Sequence, residues 1–276
     1  MAIDCKLEEE KKRIRQLQRC QRNWDLSKTI PKEHIEHFLW IAKNAPSKQW
    51  QSFYDVYYMK KRSVIEEFYK WTWGSTHSRI PPATWRNPQM NANLYILFVA
   101  KEATPVENCY NDGTVVSPDE EFMWDNAYTH IGLALGLVSK SAVDLGYFTG
   151  YNKSNGMGPD YNYEWEKRMG IYEDVIKNKK KLTFGLGIGF PQEDKPRNEF
   201  DDYELAIGAS NAHNMTLHKE GRDPVKNHKY RKCKVIDIRE NKNQVDPYGN
   251  LHKMPNKPRI KINSYKPRDI KVIEIK

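Results

Sequence analysis

The chain has 276 residues, 38% hydrophobic and 12% aromatic, enough to bury a substantial core and too apolar for an intrinsically disordered protein. Its formal charge of +9 is concentrated: residues 211–276 hold 17 Lys and Arg against 7 Asp and Glu, while residues 1–210 hold 28 against 29. No apolar run approaches the length of a membrane span, and the stretch from Met1 to Glu10 is too charged for a signal peptide.

Residues 7–21 read as a charged amphipathic helix with Leu7, Ile14 and Leu17 as its apolar positions. Ile30-Pro31-Lys32-Glu33 is a helix start, and Ile35, Phe38, Leu39 and Ala42 follow at helical spacing until Pro46 stops the helix. Tyr54 to Met59 is aromatic and β-branched enough for a strand, and Ser63 to Trp71 reads as helical. A loop containing Pro81-Pro82 and Pro88 precedes Leu94-Tyr95-Ile96-Leu97-Phe98-Val99, whose unbroken apolar run predicts a strand buried on both faces. Asn111-Asp112-Gly113 marks a turn in a polar stretch. The longest helix is expected over residues 120–145, with Trp124, Ala127, Tyr128, Ile131, Ala134 and Leu135 on one face. Gly132 and Gly136 each cost about 1 kcal/mol against Ala in such a helix, so close packing on another helix or a second subunit would rationalise them. Gly146 is a candidate helix cap. Residues 182–190 alternate large residues with Gly185, Gly187 and Gly189, a strand with one glycine face. Beyond Ala212 the apolar pattern thins, with late strands expected at 235–238 and 270–275. The fold class is α+β, a body followed by a basic, partly extended tail.

Cys5, Cys20, Cys109 and Cys233 stand singly, with no Cys-x-x-Cys pair, which argues against a zinc ribbon or disulfide scaffold and for a reducing, cytoplasmic setting. The glycines at 185, 187 and 189 lead to Pro191 and a polar loop instead of a helix, so packing accounts for them better than phosphate binding. His34 and His37 share a helix face, but no third ligand stands at recognisable spacing, and a solvent-facing pair is expected. No Gly-x-Ser-x-Gly or Cys/His pairing marks a nucleophile.

Three separated stretches carry complementary polar groups. Arg19 and Arg22 flank Cys20, a small residue that lets backbone amides approach an anion; Lys195 and Arg197 flank Pro196, an i, i+2 pair able to address one phosphate. Between them, Ala45-Pro46-Ser47-Lys48-Gln49 ends a helix with groups suited to the edge of a planar heterocycle. Each alone has an ordinary explanation, as a solvated charge pair or a helix stop.

In this order, with Leu94 to Val99, the helix through Leu145-Gly146, Phe148-Thr149-Gly150 and Gly189-Phe190-Pro191, the stretches resemble the FMN-dependent nitroreductase family over residues 18–198. The resemblance implies a nitroreductase-like FMN-binding domain over residues 1–210, a central sheet flanked by helices, and a basic C-terminal extension over residues 211–276. It implies that Arg19, Cys20, Lys195 and Arg197 hold the FMN phosphate and ribityl region, and that Arg22 lies near the pyrimidine ring. Pro46, Ser47, Lys48 and Gln49 would approach the isoalloxazine from a partner subunit; Thr149, Gly150 and Tyr151 would offer backbone groups near N5, and Asn87 would reach a ring edge. The activity implied is hydride transfer from NADH or NADPH through the flavin to an electron-poor small molecule, in a homodimer, with no catalytic side chain and no metal. Cys20 stands where many members have Ser, Gln18 where many have Arg, and the Asn-x-Gln-Pro-Trp that usually follows Ala-Pro-Ser is absent here. An alternative is a nucleic-acid-associated binding protein, in which Tyr230, Tyr248 and Tyr265 interleave with the cations of the tail.

Overall fold

The structure is a computed structural model and describes residues 2–17, 20–48, 51–72, 87–101, 120–153, 157–159, 162–177, 183–192 and 270–276. Arg19, Gln49, Lys195, Arg197 and residues 211–269 of the basic extension lie outside the described residues. In chain order the elements are α1 (Ala2–Leu17), α2 (Lys32–Asn44), β1 (Tyr54–Met59), α3 (Arg62–Tyr69), β2 (Leu94–Ala100), α4 (Glu120–Asp144), β3 (Phe148–Asn152), α5 (Glu164–Met169), α6 (Tyr172–Lys177), β4 (Thr183–Gly189) and β5 (Val272–Glu274). The strands form one sheet in the order β3-β4-β2-β1-β5, antiparallel throughout except that β5 runs parallel to β1. This is the α+β sheet flanked by helices that the sequence predicts.

β2 is buried along its whole length, as its unbroken apolar run requires. Leu94, Ile96, Phe98 and Ala100 point into a core shared with α2 and α4, where Phe38, Ala42, Ile131 and Val138 lie. Tyr95, Leu97 and Val99 point into a second core on the opposite face, with Ile65 and Phe68 of α3 and Trp165 of α5. The sheet is therefore the middle of three layers. In the second core the Trp165 indole N–H donates to the Phe68 carbonyl at 3.0 Å. Glu166, 1% exposed, accepts from the Gly158 amide at 2.7 Å, and its burial pushes the carboxyl above the ordinary range.

The glycine face of β4 is filled by the protein itself. A Cβ at Gly185 would collide with the Tyr95 hydroxyl, one at Gly187 with the Gln89 carbonyl, and one at Gly189 with the Asn93 amide. Packing is thus what these glycines serve, as expected. α2 ends as predicted: Ala45, at φ −55° and ψ 148°, is already extended ahead of Pro46. Gly146, at φ +86°, ends α4, with the Tyr147 amide reaching back to the Ala142 carbonyl at 2.9 Å.

Other expectations need correction. The first helix stops at Leu17; of its apolar positions Leu7 and Ile14 stay exposed and Leu17 is half-buried, and ion pairs of Arg13 with Asp144 and Lys140 with Glu10 reach α4. His34 and His37 are a solvent-facing pair only in part. His34 Nδ1 lies 2.7 Å from the Tyr147 hydroxyl and His37 Nε2 3.0 Å from the Ser141 hydroxyl, so both tie α2 to α4 or its exit. β3, α5 and α6 are not anticipated from the residue pattern. The late strand expected at 270–275 is present as β5 and pairs with β1, and Ile270 is in the first core. Among the described residues, no helix is long and apolar enough to cross a membrane.

Because the atom opposing a new methyl at Gly187 is backbone, Gly187→Ala is expected to destabilise the fold by about 1–3 kcal/mol. Urea unfolding followed by tryptophan fluorescence measures the change.

Candidate functional site

Residues 20–25 are not helical and run along the sheet instead of prolonging α1. The Gln21 amide donates to the Thr149 carbonyl at 2.8 Å, and the Cys20 thiol lies 3.9 Å from the Tyr151 carbonyl, so the segment occupies the edge of β3 that β4 leaves open. It then crosses to the exit of β4. Trp24 bridges Pro191, the Asp25 amide donates to the Phe190 carbonyl at 2.8 Å, and the Gln192 amide donates to the Asn23 carbonyl at 3.2 Å. The Trp24 indole donates to the Pro88 carbonyl at 2.8 Å, and the Asn93 side-chain amide donates to the Asp25 carbonyl at 2.8 Å.

The close approach depends on Gly150, where a Cβ would stand 2.8 Å from the Gln21 carbonyl oxygen and 3.1 Å from Gln89 Cβ. Cys20 and Arg22 are thereby brought beside Thr149, Gly150 and Tyr151. Gln192, from which the chain continues to Lys195 and Arg197, is bonded to the same segment.

The meeting point is polar and dry. Gln21, 1% exposed, donates from Nε2 to the Asn23 carbonyl, while its Oε1 has no hydrogen-bond partner; the hydroxyl of Thr149, 2% exposed, has none either. Such atoms carry an unmet desolvation cost that a bound polar ligand would relieve. Burial lowers the pKa of the half-buried Arg22 guanidinium, with the neighbouring Cys20 acting in the opposite direction. A cation held partly out of water favours an anionic neighbour. Burial also raises the Tyr151 phenol, whose side chain bonds Ser139 of α4.

The turn after α2 lies elsewhere. Ser47 Oγ donates to the Gln51 carbonyl, the Gln51 amide donates to the Lys48 carbonyl at 3.0 Å, and the Lys48 amide donates to Nε2 of His130 on α4 at 2.7 Å. Nine residues of α4 separate His130 from Ser139, about 14 Å of helix axis at 1.5 Å per residue. Within one chain, Pro46, Ser47 and Lys48 are therefore not gathered with Cys20 and Tyr151. Asn87 is engaged inside the protein: Nδ2 donates to Asn152 Oδ1 at 2.7 Å and Oδ1 accepts from the Gln89 amide at 3.1 Å.

Two polar residues escape the sequence reading. Gln21 sits inside the first stretch but carries no charge to single it out, and His130 stands alone in a long helix with no nearby partner in sequence. Their roles come from contacts across 128 and 82 positions, Gln21 to Thr149 and Lys48 to His130.

No family model matches the chain, and no curated protein does. Solved structures do. A nitroreductase with bound FMN from Bacteroides fragilis is 14% identical, with 70% of this chain and 94% of that one covered at a TM-score of 0.47. An FMN-dependent nitroreductase from Clostridium difficile is 16% identical, covering 71% and 96% at 0.43, and nitroreductase A from Vibrio parahaemolyticus is 13% identical, covering 76% and 81% at 0.43. At these identities and scores the likeness is one of chain path.

Gly150→Ala is expected to lift residues 20–22 from β3, accelerating amide exchange at Gln21 and lowering stability by about 1–3 kcal/mol. Exchange measurements and a thermal melt on the same protein test both effects.

Proposed function

We propose that this chain is an FMN-dependent oxidoreductase of nitroreductase type, passing hydride from NADH or NADPH to an electron-poor small molecule. The observation that carries the proposal is the docking of residues 20–25 on both β3 and the β4 exit. It joins Arg22 to Thr149, Gly150 and Tyr151 and ties in the stem that leads to Lys195 and Arg197. FMN, when bound, supplies the hydride chemistry, which is why no acid–base cluster is required of the protein.

The donor set suits that group. A flavin ring edge presents one N–H donor and several acceptors, and Gln21 Oε1 and the Thr149 hydroxyl are buried groups left with capacity to meet them. Arg22 would offset negative charge at the pyrimidine edge, where partial desolvation strengthens its field. Arg19, Cys20, Lys195 and Arg197 would hold the phosphate and ribityl chain, the two later cations acting through charge-assisted hydrogen bonds. The backbone of residues 149–151 would line the reactive edge. In this proposal residues 1–210 form the FMN-binding domain and residues 211–276 an extension that returns to the sheet as β5.

A homodimer belongs to the same proposal. Gly132, Leu133, Gly136 and Leu137 share the outward face of α4, with the two leucines 46% and 43% exposed and open space around both glycines among the described residues. Trp40 of α2 is 65% exposed. A second copy on this face would cover the leucines, give the glycines a reason to lack side chains, and bring its own residues 46–49 to the site that the first chain leaves without them.

Two measurements test the proposal. The purified protein is expected to retain FMN with a bound-flavin visible spectrum, and Lys195→Ala with Arg197→Ala to weaken FMN affinity by about 10- to 100-fold, the loss of charged hydrogen bonds. A protein that retains no FMN after excess is removed overturns the oxidoreductase proposal. In sedimentation velocity the chain should run as a dimer, and Gly136→Glu should yield monomers with weakened FMN binding; a wild-type monomer that binds FMN fully would overturn the shared site.

A further inference from the structure

His130 is 5% exposed near the middle of the sheet-facing side of α4. Its Nδ1 lies 2.5 Å from the Asn126 carbonyl oxygen, and its Nε2 lies 2.7 Å from the Lys48 amide nitrogen. A carbonyl oxygen only accepts and a backbone amide only donates, so the two contacts together require a neutral ring with its proton on Nδ1. The opposite tautomer would set donor against donor at Lys48. The ring plane is fixed as well, by stacking on Phe53 with centroids 4.6 Å apart and planes inclined by 17°. Phe53 is 1% exposed and leads into β1.

One imidazole thus joins three parts of the fold: α4, the start of β1, and the turn that follows α2. The turn has its own short-range closure through Ser47, Lys48 and Gln51, which defines its shape but not its position on α4. The bond to His130 supplies that position. It grips the Lys48 backbone and leaves the Lys48 side chain exposed.

We propose that His130 is a positioning residue for the cofactor: held as the Nδ1–H tautomer, it accepts the Lys48 amide and fixes the turn at residues 46–48 in the orientation that would face the flavin held by a second subunit. The assignment rests on the flavin and homodimer proposal for its consequence, while the clamp itself is a property of the single chain without cofactor. The ring's role is to offer an acceptor at a set place, with the stack on Phe53 keeping it there.

Two substitutions separate these features. His130→Phe keeps a flat ring for Phe53 and removes the acceptor; His130→Gln gives up the ring and returns a carboxamide oxygen at comparable reach. Without cofactor, amide exchange at Lys48 is expected to be slow in the wild type, about tenfold faster in His130→Phe and near wild type in His130→Gln, the scale of one neutral hydrogen bond. FMN titration by flavin fluorescence should follow the same order, with the dissociation constant rising about tenfold in His130→Phe and returning in His130→Gln. Wild-type exchange and affinity in His130→Phe would overturn the proposal, as would fast exchange at Lys48 in the wild type. Failure of the wild type to retain FMN would instead remove the flavin proposal, and with it the positioning role, even where slow exchange at Lys48 shows the clamp intact.

Discussion

The absence of side chains on one face of β4 lets the segment 87–93 and Trp24 come into direct contact with the strand, and the geometry of the candidate site follows from that contact. Gln89 presents its carbonyl to Gly187, Asn93 its side chain to Gly189, and Tyr95 its hydroxyl to Gly185. Asn93 in turn holds the Asp25 carbonyl, and Pro88 accepts the Trp24 indole, so the polar segment at residues 20–25 is located by groups that the glycines admit. Gly150 repeats the device on β3, giving the Gln21 carbonyl its place. Arg22 is positioned at the end of this chain of close approaches.

The arrangement divides labour between the two faces of the sheet. On one side, long apolar side chains from β1 and β2 meet α2 and α4 in a core whose helices also carry the outward Gly/Leu surface. On the other, Trp165, Tyr95 and Met90 fill a core beneath the glycines. Burial of Tyr95 raises its phenol, opposed by its contact with Asn152, so this hydroxyl remains a neutral hydrogen-bonding group. The candidate site lies at the sheet's edge, where backbone groups of β3 are not consumed by another strand and a polar segment can be added.

What could be read beforehand follows the range of the interactions involved. β2 and α4 are long and their apolar patterns continuous, so local residue spacing identifies them. β3 is five residues with a central glycine, and it is a strand because β4 and residues 20–21 bond it from both sides. α5 and α6 are six residues each, too short to display a helical period. The first helix illustrates the opposite case: its Leu7 and Ile14 fit a stripe, yet both stay exposed, and ion pairs reach α4 beside them. Within the candidate site, Arg22 stands out in the sequence because charge is conspicuous there. Gln21 and His130 do not, since the backbone amide of the one and the ring nitrogen of the other acquire meaning only from distant partners.

β5 pairs with β1 although some two hundred residues lie between them in the chain. During synthesis β1 and β2 emerge first, and the tyrosine-rich β1 keeps a row of open amides and carbonyls until residues 272–274 leave the ribosome. A long interval of this kind invites pairing between nascent chains on neighbouring ribosomes. The growing polypeptide accordingly exposes at β1 an edge that β5 later covers, and slowing translation across residues 200–270 would lengthen that exposure.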